Sequence, residues 1–501
     1  MIGERPHPRG GPLPMQLYRT RSEPLTSARH PWRSIVVWLA VGLALALVLL
    51  AAVLRSSLLP ALGLARSGAP ATISPTLFDP PSPEAEPSPP PGAPFIVPAP
   101  TGEAGALPER TTLEARLNGL DLAKLQAGVP EGGSLVTAYE VLDAATGEVL
   151  ASAEADRPLI PASNTKLLTV VAVMAAFDGT ETFTTRVVSP EPGRVVLVGG
   201  GDPLLSSVPN DTYPGHASLQ QLAEATAARL RADGVTSVTV GYDATLFQEA
   251  WAATWPGNYR DQVTPLSALW VDEGRDANRV RSTDPAVDAA ALFVAQLTAA
   301  GITVDGAPTP AEGSGEEVAS VASAPVHAIA EVAMESSNNS FTEVLGMQLA
   351  LHSGQPATFA GSVAAIRAQL TELGIWVDGA VLHDASGLTR DNVVPTSMLA
   401  RAMQHVVTTP RLSVILDGLP VAGVSGSLAD RFTDELALPA RGVARAKTGT
   451  LSLVGTLAGS TVTADGREVV FAFITNGSTD GWAARVWIDQ AVGQITGCGC
   501  S

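Results

Sequence analysis

One run of 21 residues without a charge, SIVVWLAVGLALALVLLAAVL from Ser34 to Leu54, constrains this chain more than any other feature. At about 1.5 Å of rise per residue, a helix of that length crosses the hydrocarbon core of a bilayer. Ahead of it stand Arg5, Arg9, Arg19, Arg21, Arg29 and Arg33 against only Glu4 and Glu23. The positive-inside bias makes residues 1–33 a cytoplasmic basic N-terminus and 34–54 a single-pass transmembrane anchor, with everything after Arg55 extracytoplasmic. A cleaved signal peptide is the alternative. Its apolar core is normally about 7–15 residues, so the length favours an anchor that stays.

The next stretch cannot fold either. Residues 68–108 hold 13 prolines, including PPSPEAEPSPPPGAP. Such a segment buries no core and stays extended and semi-rigid. Residues 55–110 are therefore expected to form a Pro-rich disordered stalk. The first 55 residues carry seven arginines and two glutamates, net +5, so a chain total of −18 leaves −23 on the remainder. No basic patch in that remainder suits nucleic acid, and none is expected as a partner. The acidic balance speaks of solubility. The two cysteines, Cys498 and Cys500, are one residue apart. They cannot staple a domain and are too few for a structural zinc site.

From about Thr111 the pattern becomes globular. VTAYEVLDAATGEVLASAEAD (136–156) reads as a hairpin turning at Thr146-Gly147, and Phe183 to Val198 reads as strands. GGGDP (199–203) lacks the Gly-Lys-Ser/Thr of a phosphate loop and reads as a turn. SLQQLAEATAARLRADG (218–234), PAVDAAALFVAQLTAAG (285–301), FTEVLGMQLAL (341–351) and FAGSVAAIRAQLTELG (359–374) have helical spacing. GVARAKTGTL, LVGTLAGSTVT and REVVFAFITNG read as three closing strands, followed by a helix over 481–497. Helices and strands are mixed, with hairpins at both ends. That predicts an α+β fold whose sheet is assembled from distant segments.

Only three lysines, Lys124, Lys166 and Lys447, occur among the 31 basic side chains. Two of them sit in stretches capable of chemistry. In PASNTKLL, Ser163 and Lys166 are three residues apart at a helix start and share a face. A serine hydroxyl needs a base, and a desolvated lysine can act as one, whereas arginine cannot lose its proton. The bland alternative is a helix cap followed by a solvated lysine. In RAKTGTL (445–451), Lys447 offers positive charge to an anionic ligand end and a means of lowering the Lys166 pKa. Thr448 offers a hydroxyl, and Gly449 permits close backbone approach on a strand edge that an extended peptide can pair with. A plain turn is the alternative. In MESSNNSFTEVL (334–345), Ser337 and Asn339 precede a helix, where Ser337 could be no more than an N-cap.

Together, Ser-x-x-Lys, Ser-x-Asn and Lys-Thr-Gly in that order are the active-site set of penicillin-binding proteins and β-lactamases. The chain resembles the low-molecular-mass class C penicillin-binding proteins, the D-alanyl-D-alanine carboxypeptidase/endopeptidases. LIPASNTKLLT, HDASGLTRDNVVP (383–395), LPVAGVSGSLADRF (419–432), GGGDP and PLSALWVDEGR (265–275) extend the likeness over roughly residues 112–501. The resemblance implies a penicillin-binding/β-lactamase-like transpeptidase domain, an antiparallel sheet flanked by helices, in two parts at 111–188 and 319–501. It also implies a smaller inserted domain at 189–318, with a second one reduced or absent, since Ser163 to Ser337 spans only 174 residues. By the same resemblance, Ser163 would be acylated with Lys166 as base, and Ser337 would relay a proton to the leaving amine. Asn339 would hold Lys166 and the substrate amide. Lys447 and Thr448 would bind a terminal carboxylate beside Gly449, and the N–H groups of Ser163 and Thr450 would form the oxyanion hole. Arg390 would line a side-chain pocket. The aromatics of WPGNYR (255–260) fall near the expected place of that pocket.

The substrates so implied are D-Ala-D-Ala ends or crosslinks of peptidoglycan stem peptides. β-Lactams would be covalent inhibitors, and neither metal nor cofactor is called for. Both lysine amines are expected within a few ångströms of one serine hydroxyl. The competing readings are a β-lactamase or esterase on the same residues, and a non-catalytic, membrane-tethered wall-binding protein. No Gly-x-Ser-x-Gly occurs, and the seven histidines, including His383, lie in ordinary contexts, which disfavours a Ser-His-Asp hydrolase.

Overall fold

The computed structural model describes residues 105–500. The expected cytoplasmic N-terminus, the 34–54 anchor and nearly all of the 55–110 stalk lie outside the described residues. Among the described residues no helix is long and apolar enough to cross a membrane.

In chain order the elements are α1 (Arg110–Asn118), α2 (Ala123–Ala127), β1 (Val136–Asp143), β2 (Val149–Ala153), α3 (Thr165–Ala176), β3 (Thr184–Glu191) and β4 (Arg194–Val198). Then come α4 (Leu219–Ala232), β5 (Ser237–Asp243), α5 (Pro285–Ala299), β6 (Thr303–Val304), β7 (Thr309–Pro310), β8 (Glu316–Ala322) and α6 (Val326–Glu335). The chain closes with α7 (Asn339–His352), α8 (Phe359–Glu372), α9 (Thr396–Thr408), β9 (Arg445–Leu451), β10 (Val454–Val462), β11 (Glu468–Asn476) and α10 (Gly481–Thr496).

A five-stranded sheet in the order β2-β1-β11-β10-β9 forms the main layer, and every neighbouring pair in it is antiparallel. Its centre is EVVFAFITN, an unbroken apolar run, because both faces are covered. Val470, Ala472 and Ile474 face a core shared with α3 and with α6 to α9, which includes Leu167, Val171, Ile329, Leu345, Ile366 and Met398. The alternate residues Val469, Phe471 and Phe473 face a second core with Leu113 of α1 and Trp487, Ile488 and Val492 of α10. Period-two alternation along one strand thus feeds two layers. The helix α3 is apolar nearly all round and is buried from Thr165 to Met174. It is the central post of the first core, and its N-terminal end reaches the sheet edge at β9.

Between α3 and α6 the chain builds another sheet, ordered β6-β5-β4-β3-β8 with β7 also on β5. This sheet is mixed. β4, β5 and β6 run parallel, joined by the crossover helices α4 and α5. The sheet runs from Thr184 to Ala322, so the expected boundaries at 188/189 and 318/319 cut strands β3 and β8. The reason is local. Glu191 still pairs with Arg194, and Pro192-Gly193 forms the turn of the β3–β4 hairpin. Cys498 and Cys500 are joined across Gly499 alone.

Phe473 is fully buried and rings with Tyr139, Phe471 and Trp487. Phe473→Ala is expected to lower unfolding stability by about 3–5 kcal/mol, read as a lower urea midpoint with an unchanged slope. A shift below about 1 kcal/mol would contradict a packed second core.

Candidate active site

Ser163 sits in a one-turn 3-10 helix, Ala162–Asn164, that runs into α3. The residue before it, Ala162, has φ +47°, a sparsely populated conformation for a side-chain-bearing residue. Three contacts pin this turn. Asn164 Nδ2 donates to Thr456 Oγ1 at 2.6 Å, Thr456 Oγ1 donates to the Pro161 carbonyl at 2.9 Å, and Thr165 Oγ1 donates to the Ala162 carbonyl at 3.0 Å. The serine is thereby seated on β10 and beside the edge strand β9.

Lys166 follows at i+3 and is completely buried. Its Nζ lies 3.0 Å from Ser163 Oγ, 2.6 Å from Asn339 Oδ1 and 2.7 Å from the Ser386 carbonyl. Burial pushes this amine down to about 8, with Asp384 and Glu343 pulling the other way. Lys447 and Lys166 disfavour each other's charge, since repulsion between two buried amines is mutual. Lys447 is held well below the usual lysine range by its own burial and then by the charge of Lys166.

Lys447 is also fully buried, on β9. Its Nζ donates to Ser337 Oγ at 2.7 Å and to the Thr448 carbonyl at 2.9 Å. Of the two amines expected near the Ser163 hydroxyl, Lys166 is the one hydrogen-bonded to it. Each lysine is hydrogen-bonded to a different serine, Lys166 to Ser163 and Lys447 to Ser337. Ser337 is not the cap of α7. That task falls to Asn338, whose side chain accepts from the Phe341 N–H at 3.1 Å. Ser337 instead has φ +54°, which turns it out of the helix path. Asn339 opens α7 and is tied at both ends of its amide, Oδ1 to Lys166 and Nδ2 to the Gln262 carbonyl at 3.1 Å.

Thr448 Oγ1 shares a 2.8 Å hydrogen bond with Ser427 Oγ, a hydroxyl from the 419–432 stretch that sequence reasoning did not single out. Gly449 has a role nearer home than ligand approach. A Cβ there would meet Thr456 Oγ1 at 2.2 Å, the Pro161 carbonyl at 2.8 Å and the Ser163 nitrogen at 3.0 Å. Only glycine lets β9 lie against the serine turn, which brings Thr450, exposed on the same strand, alongside Ser163. Arg390 is half-buried at the end of the 384–389 turn. Of the WPGNYR aromatics, Trp255 belongs to a hydrophobic cluster with Phe359 and Trp270. It is buried, and its Nε1 donates to Asp384 Oδ2 at 2.8 Å.

A Ser-x-x-Lys turn seated under the edge strand of an antiparallel sheet, with helices on both faces, is the penicillin-binding/β-lactamase-like fold, and the class it defines is the serine-type peptidase hydrolases. The family follows from the length of the chain that matches. The model of the D-Ala-D-Ala carboxypeptidase 3 (S13) family matches residues 120–282 and 274–496, and the chain belongs to that family. A carboxypeptidase of Mycobacterium tuberculosis is 35% identical over 438 residues, 83% of this chain and 90% of that protein. A D-alanyl-D-alanine carboxypeptidase of Actinomadura sp. is 27% identical over 427 residues, 68% of this chain and 78% of that one. The crystal structure of penicillin binding protein 4 from Haemophilus influenzae superposes with a TM-score of 0.62 at 20% identity, over 74% of this chain and 98% of that one.

Gly449→Ala is expected to fold and to lose about 10²-fold in the rate of acylation by a fluorescent penicillin, since an added methyl displaces the serine turn by a sizeable fraction of an ångström. Wild-type acylation by this variant would show that the strand–turn contact is dispensable.

Proposed function

We propose that this protein is a serine-type D-alanyl-D-alanine carboxypeptidase/endopeptidase acting on peptidoglycan stem peptides through an acyl-enzyme on Ser163. The observation that carries the reading is the contact between Lys166 Nζ and Ser163 Oγ inside a site where the amine is fully buried. A neutral amine has two N–H donors and one lone pair. Asn339 Oδ1 and the Ser386 carbonyl take the donors, which leaves the lone pair facing the serine hydroxyl. Loss of a proton from Lys166 therefore needs no rearrangement, and the amine can take the Ser163 proton as the oxygen attacks the substrate carbonyl.

The peptide carbonyl oxygen, as it gains charge, is assigned to the backbone N–H groups of Ser163 and Thr450, worth about 3 kcal/mol per donor in comparable sites. Ser337 delivers the proton to the departing D-alanine nitrogen, and the C–N bond breaks as the ester on Ser163 forms. Water then cleaves the ester, returning the serine proton. Lys447 and Thr448 receive the terminal carboxylate. This role suits a buried amine bonded only to neutral oxygens, because an arriving carboxylate brings the missing counter-charge. Gly449 and Thr450 carry the strand along which an extended peptide pairs. Asn339 holds the base and the substrate amide, and Arg390 is assigned to the side-chain pocket. β-Lactams would acylate the same serine.

A base near 8 must lose its proton to act, so acylation by penicillin should rise with pH and reach half its plateau near pH 8. Ser163→Ala should abolish labelling with the fold intact, and Lys166→Arg should cut the rate by about 10²–10⁴-fold. Product masses from crosslinked and uncrosslinked muropeptides identify the bond cleaved. Labelling that survives Ser163→Ala would remove the nucleophile from this scheme. A label released within seconds would point to a β-lactamase instead.

The reading also places the catalytic domain outside the cytoplasm on a membrane anchor at 34–54, supported by the uncharged run and its arginine-rich flank. Deleting residues 1–55 should move the protein from the membrane fraction to the soluble one. Retention at the membrane would assign tethering to another segment.

A further inference from the structure

Behind Lys166 lies an acidic pair that no step above uses. Glu343 is one helical turn past Asn339 on α7 and is completely buried, as is Asp384. Glu343 Oε1 accepts the N–H groups of Ala385 at 3.1 Å and Ser386 at 2.8 Å, and its Oε2 accepts Ala385 N–H at 3.1 Å. Asp384 Oδ1 accepts from Gly387 N–H and Asn392 Nδ2, both at 2.8 Å. Its Oδ2 accepts from Thr389 N–H at 2.7 Å and Trp255 Nε1 at 2.8 Å. These two carboxylates wrap the backbone of a single turn from both sides.

The carbonyls of that turn point the other way, onto α3. Ala385 O accepts from Thr169 Oγ1 at 2.7 Å, and Ser386 O accepts from Lys166 Nζ at 2.7 Å. Gly387, at φ +77°, packs so closely on the serine turn that an added Cβ would stand 1.9 Å from the Ala162 carbonyl. One helix therefore grips the proposed base twice. Asn339 does so directly, and Glu343 does so through the Ala385–Ser386 backbone.

We infer that Glu343 is a positioning residue: it holds the Ser386 carbonyl on Lys166 Nζ, and its charge sets how readily that amine gives up a proton. This rests on the assignment of Lys166 as the base. The charged groups around the amine are Glu343 on α7, Asp384 in the turn and Lys447 on β9 across the cleft. Burial, and then the neighbouring Asp384 carboxylate, push Glu343 up to about 8, the same region in which Lys166 loses its proton. As Glu343 ionises, its negative charge stabilises the ammonium form and delays the reactive amine. A carboxyl serving only as a filler would leave the amine's titration alone.

The scarcity of lysine provides a direct test. Full-length protein labelled with 13Cε-lysine gives three Cε signals, one of them Lys166, assigned by Lys166→Arg. In Glu343→Gln the Lys166 midpoint should fall by about one pH unit, and the acidic limb of penicillin acylation should move with it. Glu343→Asp keeps the charge but shortens the reach. Its midpoint should stay within about 0.2 unit of wild type while the plateau acylation rate falls roughly tenfold, as a misplaced base requires.

An unmoved midpoint in Glu343→Gln, or a wild-type rate in Glu343→Asp, overturns the inference. If Glu343→Gln does not fold, the Glu343→Asp rate decides alone. Mass spectrometry of penicilloyl-Ser163 separates this from the reading it rests on. Acylated Ser163 with an unmoved titration sinks only the role of Glu343, whereas wild-type protein that is never acylated sinks the assignment of Ser163.

Discussion

Two lysine ammonium groups have been taken out of water without a salt bridge. Among the described residues neither Lys166 nor Lys447 has a carboxylate within ion-pair distance, and every hydrogen-bond partner of both is a neutral oxygen. Burying a charge on such terms is costly, and the inexpensive escape for lysine is to release its proton. Arginine has no such escape. The rest of the site can be understood as what is needed to keep two amines dry without an ion pair, each hydrogen-bonded to its own serine.

That requirement explains the layering. A central apolar helix carries Ser163 and Lys166 into the core, and only a helix buried on all sides can keep Lys166 dry. The sheet must then close over the serine turn, and it does so with its edge strand β9, whose outer side meets only an isolated bridge between Arg445 and Val421. The helix α7, which follows the inserted sheet and α6 in the chain, supplies Asn339 and, one turn later, Glu343. Polar groups at this depth are matched in chains: Trp255 to Asp384, Asp384 and Glu343 to one turn, and that turn to Lys166. Such networks are stiff because an unmatched member costs more than a matched one contributes.

Much of the fold could be read along the chain. The terminal hairpin, the three closing strands, most helices and the three motifs appear where spacing placed them, because period and turn chemistry are local properties. The inserted sheet was drawn too small because nothing local marks where β3 and β8 begin to belong to it: β3 runs unbroken through the 188/189 boundary to Glu191. Trp255 was placed near a ligand pocket because an aromatic beside a proline and a glycine carries no sign of which way it faces. Ser163 and Asn339 were legible as partners of Lys166, but the Ser386 carbonyl and Glu343 behind it were not. Ser386 contributes a backbone carbonyl, which any residue possesses, and Glu343 is one residue of a helical stretch with no motif to mark it. Glu343 does stand four residues after Asn339, a spacing that puts both on one face. Only the direction of that face was missing.

The sequence by itself determined the chemistry available: a serine with lysine one turn away, a second serine with an asparagine, and a lysine followed by threonine and glycine. It did so because lysine where arginine is the rule, and glycine on a strand edge, are choices that local physics explains. What only the tertiary structure decided is which amine meets which hydroxyl, and which neutral oxygens surround each amine. Those pairings join positions more than a hundred residues apart, such as Ser337 with Lys447 and Ser386 with Lys166. They exist only once two packed layers have removed water from between them.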